Sequence, residues 1–322
     1  MKRADVMLSW EERRLMVKIA QLYYYEGWTQ AKIAKKQNVS RPIISKLLNN
    51  AKKEGIVEIY IKDETLHSVE LENAIMKKFD LKEVIVVSTA GFAPEMIKRQ
   101  LGKSAASYIA NHLTDVKSLG LSWGTTLLSF VEEYPYKYKK DTHIVPIIGG
   151  MGSEYVHLHS NQLVFHLSQK MNSSCSYLYA PAMVESIDLK ERLVESKDIS
   201  HVLEQARNVD MAVVGLGNPF KSSTMEKIGY LNQKDLASLR KAGAVGDISS
   251  RFYDAIGKEL NHPLNDRVIG LDLNEIKQIP EVIGIVEGSY KLESLESALQ
   301  GKYLDVLIID DRTAQELVES YI

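Results

Sequence analysis

Residues 122–126, SWGTT, place two adjacent hydroxyls, Thr125 and Thr126, behind a glycine where an apolar run gives way to an expected helix start. Free N–H groups at such a start bind anions, Gly124 lets a ligand approach the backbone, and Ser122 adds a third hydroxyl. Lys291 stands at a second expected helix start, after the tight turn of VEGSYK, residues 286–291. A lysine there opposes the helix dipole unless an anion lies beside it, which points to phosphate. Fixed donors and a cation are thus available from two separate loops, expected to meet in a surface crevice. A third loop, IIGGMGS at residues 147–153, has glycines able to bring backbone to a ligand. Asp247, in GDISSRFYD at residues 246–254, is a candidate acceptor for sugar hydroxyls.

No catalytic constellation emerges. GLGNP, residues 215–219, follows an apolar run but lacks the GxGxxG spacing and the acidic partner of a dinucleotide site. His157 and His159 would face one way on a strand, with no third metal ligand near them. The single Cys175 cannot form an internal disulfide and reads as a buried structural thiol. Nucleophile elbows, Walker loops and HExxH are absent, so neither a cofactor nor a metal is expected.

A different chemistry is written in TQAKIAKKQNVSRPIISKLLNNAKKEGIV, residues 29–57. Thr29 reads as an N-cap, Ala31, Ile33 and Ala34 as a short apolar face, and Gln37-Asn38 as a stop. Ser40 reads as the cap of a second helix with Pro42 in its first turn, whose Ile44, Leu47, Leu48 and Ala51 face inward. Arg41, Ile43, Ser45, Lys46 and Asn49 are left outside, types that reach bases and phosphates. Thr29, Gln30, Ser40 and Pro42, at the two helix starts, complete the expected DNA-facing set. Charge agrees. Residues 1–62 hold thirteen Lys and Arg against six Asp and Glu, net +7. The whole chain has 40 against 42, so the remainder carries 27 against 36, net −9. A basic head on an acidic body suits a module that displaces phosphate counterions.

The elements that must position these residues follow from periodicity. Residues 10–25 read as an amphipathic helix packing through Leu15, Ile19, Leu22 and Tyr23, with the tyrosine run as core and rim. IVEIYIKD, residues 56–63, alternates like the closing strand of a winged helix-turn-helix. Residues 66–79 read as one more helix, with Leu66, Val69, Ile75, Met76 and Phe79 apolar. From residue 84, the runs VIVVS, SLGLSWG, HIVPIIGG, SYLYAPA, MAVVGLG, EVIGIVEG and DVLIIDD alternate with helical stretches. That is the pattern of an α/β fold with a Rossmann-like, mostly parallel sheet covered on both faces, whose ligands sit beyond the strands' carboxyl ends. The expected domains are a helix-turn-helix head over 1–62 and an α/β body over 63–322. With 45% hydrophobic residues and no apolar run near the ~20 residues of a membrane span, a cytoplasmic protein without a membrane partner is expected.

Taken as ordered blocks, the head stretch together with SWGTT, IIGGMG, GAVGDISSRFYDAIGKEL, NDRVIGLDL and GSYKLESLESALQGKYLDVLIID resembles the SorC family of sugar-responsive bacterial transcription regulators, in its DeoR-like deoxyribonucleoside regulator branch. The resemblance covers essentially the whole chain. It implies an effector domain similar in fold to sugar-phosphate isomerases and deaminases, a homo-oligomer of tetrameric type, operator DNA, and a phosphorylated sugar effector. It would put Ser122, Gly124, Thr125, Thr126 and Lys291 on the phosphate, and Asp247 with the Gly149-Gly150 loop on the sugar. Some members carry Lys or Arg just before the paired glycines, where this chain has Ile148. An isoleucine can neither form an imine with a sugar carbonyl nor neutralise a second phosphate, so a monophosphorylated ligand held without covalent chemistry is expected. Two other readings compete with the regulator. An isomerase or deaminase with a DNA-binding head would need an acid/base pair at the sugar end, where Asp247 has no evident His or Glu partner in sequence. A purely architectural body would bind no metabolite.

Overall fold

The computed structural model of the chain describes residues 10–57, 66–150 and 155–321. The chain divides into two compact units, 1–66 and 67–322. In the first, α1 (Trp10–Ala20) runs into a π-helical turn, Gln21–Tyr25, followed by α2 (Gln30–Gln37) and α3 (Arg41–Lys53). Thr29 caps α2, its Oγ1 accepting the Lys32 N–H at 3.3 Å. Asn38 ends α2 in a left-handed backbone, φ 53°, and the Val39 N–H closes onto the Ala34 carbonyl at 3.0 Å. Ser40 holds the cap position of α3, but its hydroxyl makes no cap bond; Pro42 presets the first turn instead.

Ile19, Leu22, Ile33, Ala34, Ile44 and Leu48 form this unit's core, with Leu47 and Tyr23 half-buried against it. Leu15 and Ala31 are exposed, contrary to expectation, and Met16 is buried in place of Leu15. Within α1 the inward stripe runs through Met16, Ile19 and Ala20, spaced three and four residues apart, and so passes beside Leu15. Tyr24 and Tyr25 lie on the rim. The strand expected over 56–63 lies, from residue 58, outside the described residues.

The second unit takes in all but the first residue of the helix Leu66–Phe79, which buries Leu71 and Ile75 and leaves Val69 exposed. Its strands are β1 (Glu83–Val87), β2 (Ser118–Leu121), β3 (His143–Pro146), β4 (Met211–Gly217), β5 (Gly246–Ile248), β6 (Arg251–Tyr253), β7 (Val282–Val286) and β8 (Val306–Asp310). Six pair in parallel in the order β1-β8-β7-β4-β2-β3. Both faces are covered. Val213, Ile283 and Ile285 join one apolar layer with Leu127, Phe130 and Leu163 of the helices, whereas Ala212, Val214, Val282 and Val286 join the other with Leu203, Leu295 and Leu317. Strands buried on both sides read as unbroken apolar runs, which is how they stand in the sequence.

SYLYAPA is not a strand of this sheet. It makes only isolated bridges, among them Gly150 with Pro181, while the Asn161 side chain takes both backbone bonds of Leu178, at 2.9 and 3.0 Å. In the opposite direction, GDISSRFYD forms the β5–β6 hairpin, antiparallel on the end of β4, which no alternation announced. The chain leaves β2 toward β3 on one side of the sheet and leaves β4 toward β7 on the other. The β2/β4 boundary is therefore the point where crossovers part, and a crevice opens there at the carboxyl edge.

Candidate functional site

A cavity of about 470 Å³ occupies that crevice, within the usual range for small-ligand sites. One wall is the start of the helix Thr125–Glu133, where Thr125, Thr126 and Leu127 line the cavity. Gly124 at the cap position has φ 124°, strained for any side chain, and no side chain among the described residues caps the helix. The helix thus presents uncapped N–H groups and the positive end of its dipole to the cavity.

Lys291 forms the facing wall. It ends a short 3₁₀ turn, Ser289–Lys291, and precedes the helix Leu292–Gln300. The expected surface crevice is deeper than that: Lys291 is only 8% exposed. Burial lowers its ammonium to about 8, against the opposing pull of Glu287, Asp247 and Asp310, with Lys98 adding to the fall. Its loop is anchored from below. Buried Asp310, at the end of β8, accepts the Gly288 N–H at 2.9 Å and caps the terminal helix through the Thr313 N–H at 2.9 Å.

Asp247 lies on β5 opposite Gly217 of β4. A Cβ at Gly217 would fall 2.0 Å from Asp247 Oδ1, so only glycine lets the carboxylate lie across the strand end. Burial pushes Asp247 up to about 6, with the Ser250 N–H (3.2 Å) and Lys291 pulling it back down. The hairpin turn beside it, Ser249-Ser250, has both residues left-handed, φ 50° and 62°. A two-residue turn of this hand usually takes Asn-Gly. Here side chains hold it instead: Ser122 Oγ meets Ser249 Oγ at 2.8 Å, and Trp123 Nε1 donates to Ser250 Oγ at 3.2 Å. The buried Arg251 ties the hairpin down by donating to the carbonyls of Asn265, Val268, Gly270 and Leu271.

Of the residues singled out in the sequence, Gly124, Thr125, Thr126, Asp247 and Lys291 line this cavity, and Ser122, Ile148, Gly149 and Gly150 do not. Ser122 is fully buried and reaches the cavity through Ser249, which does line it. Ile148 is fully buried in an apolar cluster with Trp123, Met225 and Val268. Gly149 serves close packing, since a Cβ there would meet the Ala180 carbonyl oxygen at 2.5 Å. His157 lies not on a strand but in a 3₁₀ turn, Val156–Leu158, and faces the cavity, while His159 is buried at the start of the next helix. Cys175 is half-buried rather than buried.

Sequence reasoning missed Lys98, Asn218, Glu287 and Tyr290 among the lining residues. Asn218 is half legible, because it follows β4 in GLGNP at a strand end bordering the crevice. Its side chain accepts from the Phe220 and Lys221 N–H groups and donates to the Tyr290 carbonyl at 3.0 Å, tying two strand-end loops together. Lys98 comes from the helix Pro94–His112, where nothing in its neighbourhood marks it. Among the described residues no cluster of His, Cys, Asp or Glu could hold a metal ion, and no helix is long and apolar enough to cross a membrane.

In the first unit, α3 exposes Arg41, Pro42, Ile43, Lys46 and Asn49, with Ser45 half-buried among them. Thr29 and Ser40 are also exposed, and Gln30 is half-buried. Lys32 and Lys36 of α2 instead lie over the Trp28 ring, 3.9 and 4.4 Å from its centre.

Residues 63–319 match the Sugar-bind family, described as a sugar-binding domain. The chain is 32% identical over 308 residues to a deoxyribonucleoside regulator of Bacillus subtilis, covering 96% of this chain and 98% of that one. The full-length sorbitol operon regulator SorC of Klebsiella pneumoniae superposes with a TM-score of 0.75 at 30% identity, over 95% of this chain and 98% of that one. A DeoR family transcriptional regulator from Listeria monocytogenes gives 0.74 at 44% identity, over 78% and 99% respectively. With a family match over most of its length and relatives matched nearly end to end, the chain belongs to the SorC family of sugar-binding bacterial transcription regulators.

Proposed function

We propose that this chain is a DNA-binding transcription regulator of a carbohydrate-utilisation operon, controlled by a phosphorylated sugar or polyol bound in the body's cavity. One observation carries the ligand class: a buried lysine and an uncapped helix start share one small cavity at the sheet's switch point. The N–H groups of Thr125 and Thr126, beside Gly124, and the Lys291 ammonium take the phosphate; Asp247 accepts from sugar hydroxyls, and Ser122 positions the Ser249 wall. Ile148 is sealed in an apolar cluster and offers no amine, so no imine forms at that position. The regulators among the relatives support this over an isomerase or deaminase on the same fold. The protein acts in the cytoplasm on operator DNA as a homo-oligomer, a tetramer by likeness to the family.

The test is a thermal-shift screen of sugar and polyol phosphates against their dephosphorylated forms. A ligand at a hundred times its Kd adds about 2.7 kcal/mol to native stability, so the phosphorylated partner raises Tm clearly and the free sugar does not. Equal shifts from both forms would overturn the phosphate assignment.

Affinity should also depend on pH with a defined shape. A phosphate monoester becomes dianionic above about pH 6. Asp247 loses its proton near 6 and becomes a pure acceptor, while Lys291 loses its charge above about 8. Affinity therefore rises as pH climbs through 6 and falls beyond 8, with its maximum between. The unliganded fold responds with opposite signs. Asp247 binds its proton more tightly folded than unfolded, so stability falls as pH rises from the ordinary carboxylate value of 3.8 to about 6. Lys291 binds its proton less tightly folded, so stability rises between about 8 and 10.5. Calorimetric titration across this range measures the first effect and thermal melts the second.

A further inference from the structure

The cavity holds a pair of charges that the phosphate reading does not use. Lys98, from the helix Pro94–His112, and Glu287, from the loop after β7, come from separate elements to the cavity wall and stand 3.8 Å apart, nitrogen to oxygen. Glu287 is the more enclosed, with its side chain 16% exposed against 37% for Lys98. It is also the first of the carboxylates that favour the Lys291 ammonium, ahead of Asp247 and Asp310. One carboxylate thus serves two lysines beside an uncapped helix start.

We propose that Lys98 is a second cation of the phosphate site, held by Glu287 in the unliganded protein and transferred to the ligand's phosphate when one binds. The proposal rests on the phosphate reading above and adds its selectivity. At 3.8 Å the pair is longer than the 2.7–2.9 Å of a charge-assisted hydrogen bond, so exchanging partners breaks no well-formed bond. A dianionic phosphate presents more charge than the single buried ammonium of Lys291 neutralises, and the flexible stem of Lys98 lets its ammonium follow the stronger anion. A neutral sugar or a monoanion offers no more than Glu287 already does. The carboxylate is a built-in competitor that sets a threshold of charge for the ligand.

The experiment titrates inorganic phosphate into the full-length protein at pH 7.5, followed by the fluorescence of Trp123, which lines the cavity. Glu287→Gln, of the same shape without the charge, should tighten phosphate binding several-fold. Lys98→Met should weaken it by about tenfold, the worth of a charge-assisted hydrogen bond. In Lys98→Met/Glu287→Gln the gain from the second change should vanish, because the released lysine is gone. Acetate, a monoanion, should bind measurably only to Glu287→Gln. Weaker phosphate binding by Glu287→Gln, unchanged binding by Lys98→Met, or a gain that survives in the double variant would each overturn the proposal. Lys291→Met run in parallel separates this from failure of the parent reading: if that variant also binds phosphate as the wild type does, phosphate does not occupy this cavity at all.

Discussion

Lys291→Met weakens binding of the phosphorylated effector about tenfold or more, and at pH 7 it melts no lower than the wild type. The loss follows from removing a charge-assisted hydrogen bond, roughly 1.5–3 kcal/mol, made by the most buried of the lysines that line the cavity. The stability half comes from burial. Lys291 is 8% exposed and its ammonium is lowered from 10.5 to about 8, so keeping it charged in the fold costs on the order of 3 kcal/mol. Methionine keeps the aliphatic stem and removes the charge, and replacing a buried charge by an apolar group of similar volume is commonly neutral or stabilising. Asp247, deprived of a nearby cation, is pushed further up from about 6. Calorimetric titration with the phosphorylated ligand and its free sugar, beside melts of both proteins, measures the two halves. Wild-type affinity in the variant refutes the site. A large drop in Tm together with loss of binding would instead make Lys291 a structural residue.

The sheet was legible because its strands are buried on both faces. Val282 to Val286 and Val306 to Ile309 leave no polar position to confuse the period, and both lie where the apolar runs stand in the sequence. SYLYAPA is also largely apolar and failed. The backbone bonds of Leu178 go to the amide of Asn161, seventeen residues away, and those of its neighbours to Ile144, Gly150 and Ile269, partners that no local pattern announces. The β5–β6 hairpin failed in reverse, since its turn is Ser-Ser rather than Asn-Gly and is held, beside the local bond to Asp247, by Ser122 and Trp123, partners that meet it only once the sheet has formed.

The site divides along the same line. Thr125, Thr126 and Lys291, which line the cavity, are legible in the sequence because helix starts have a local signature. Lys98 and Glu287 carry no such mark, being an ordinary helix lysine and a strand-end carboxylate brought together by the crossover between β1 and β2 and by the position of β7. The paired glycines misled in the other direction. Gly149 packs against the carbonyls of Ala180 and Pro181, and a close approach of backbone to backbone demands glycine as strictly as an approach to ligand does.

The head offers the second large effect, because its recognition surface is small. Arg41→Ala and Lys46→Ala should each weaken operator binding by about 1–3 kcal/mol while leaving effector affinity unchanged. Both side chains are exposed near the start of α3, the end a recognition helix points at base edges, and neither contributes to the core formed by Ile19, Leu22, Ile33, Ile44 and Leu48. Folding of the head should therefore survive the changes. Lys32 and Lys36 lie over Trp28, so among the described residues at this end Arg41 and Lys46 are the charges better placed to meet DNA. The two effects differ in kind. If Lys46 holds a phosphate, its removal weakens all duplexes alike and lowers the salt slope by about one. If Arg41 reads a base edge, its removal relaxes preference at one position and leaves the slope nearer its original value. Binding measured across a salt series, on duplexes selected from a random pool by the wild-type protein, distinguishes these outcomes. Unchanged affinity in both variants would mean that α3 meets DNA through another face, and weakening in Arg41→Ala alone would place Lys46 outside the interface.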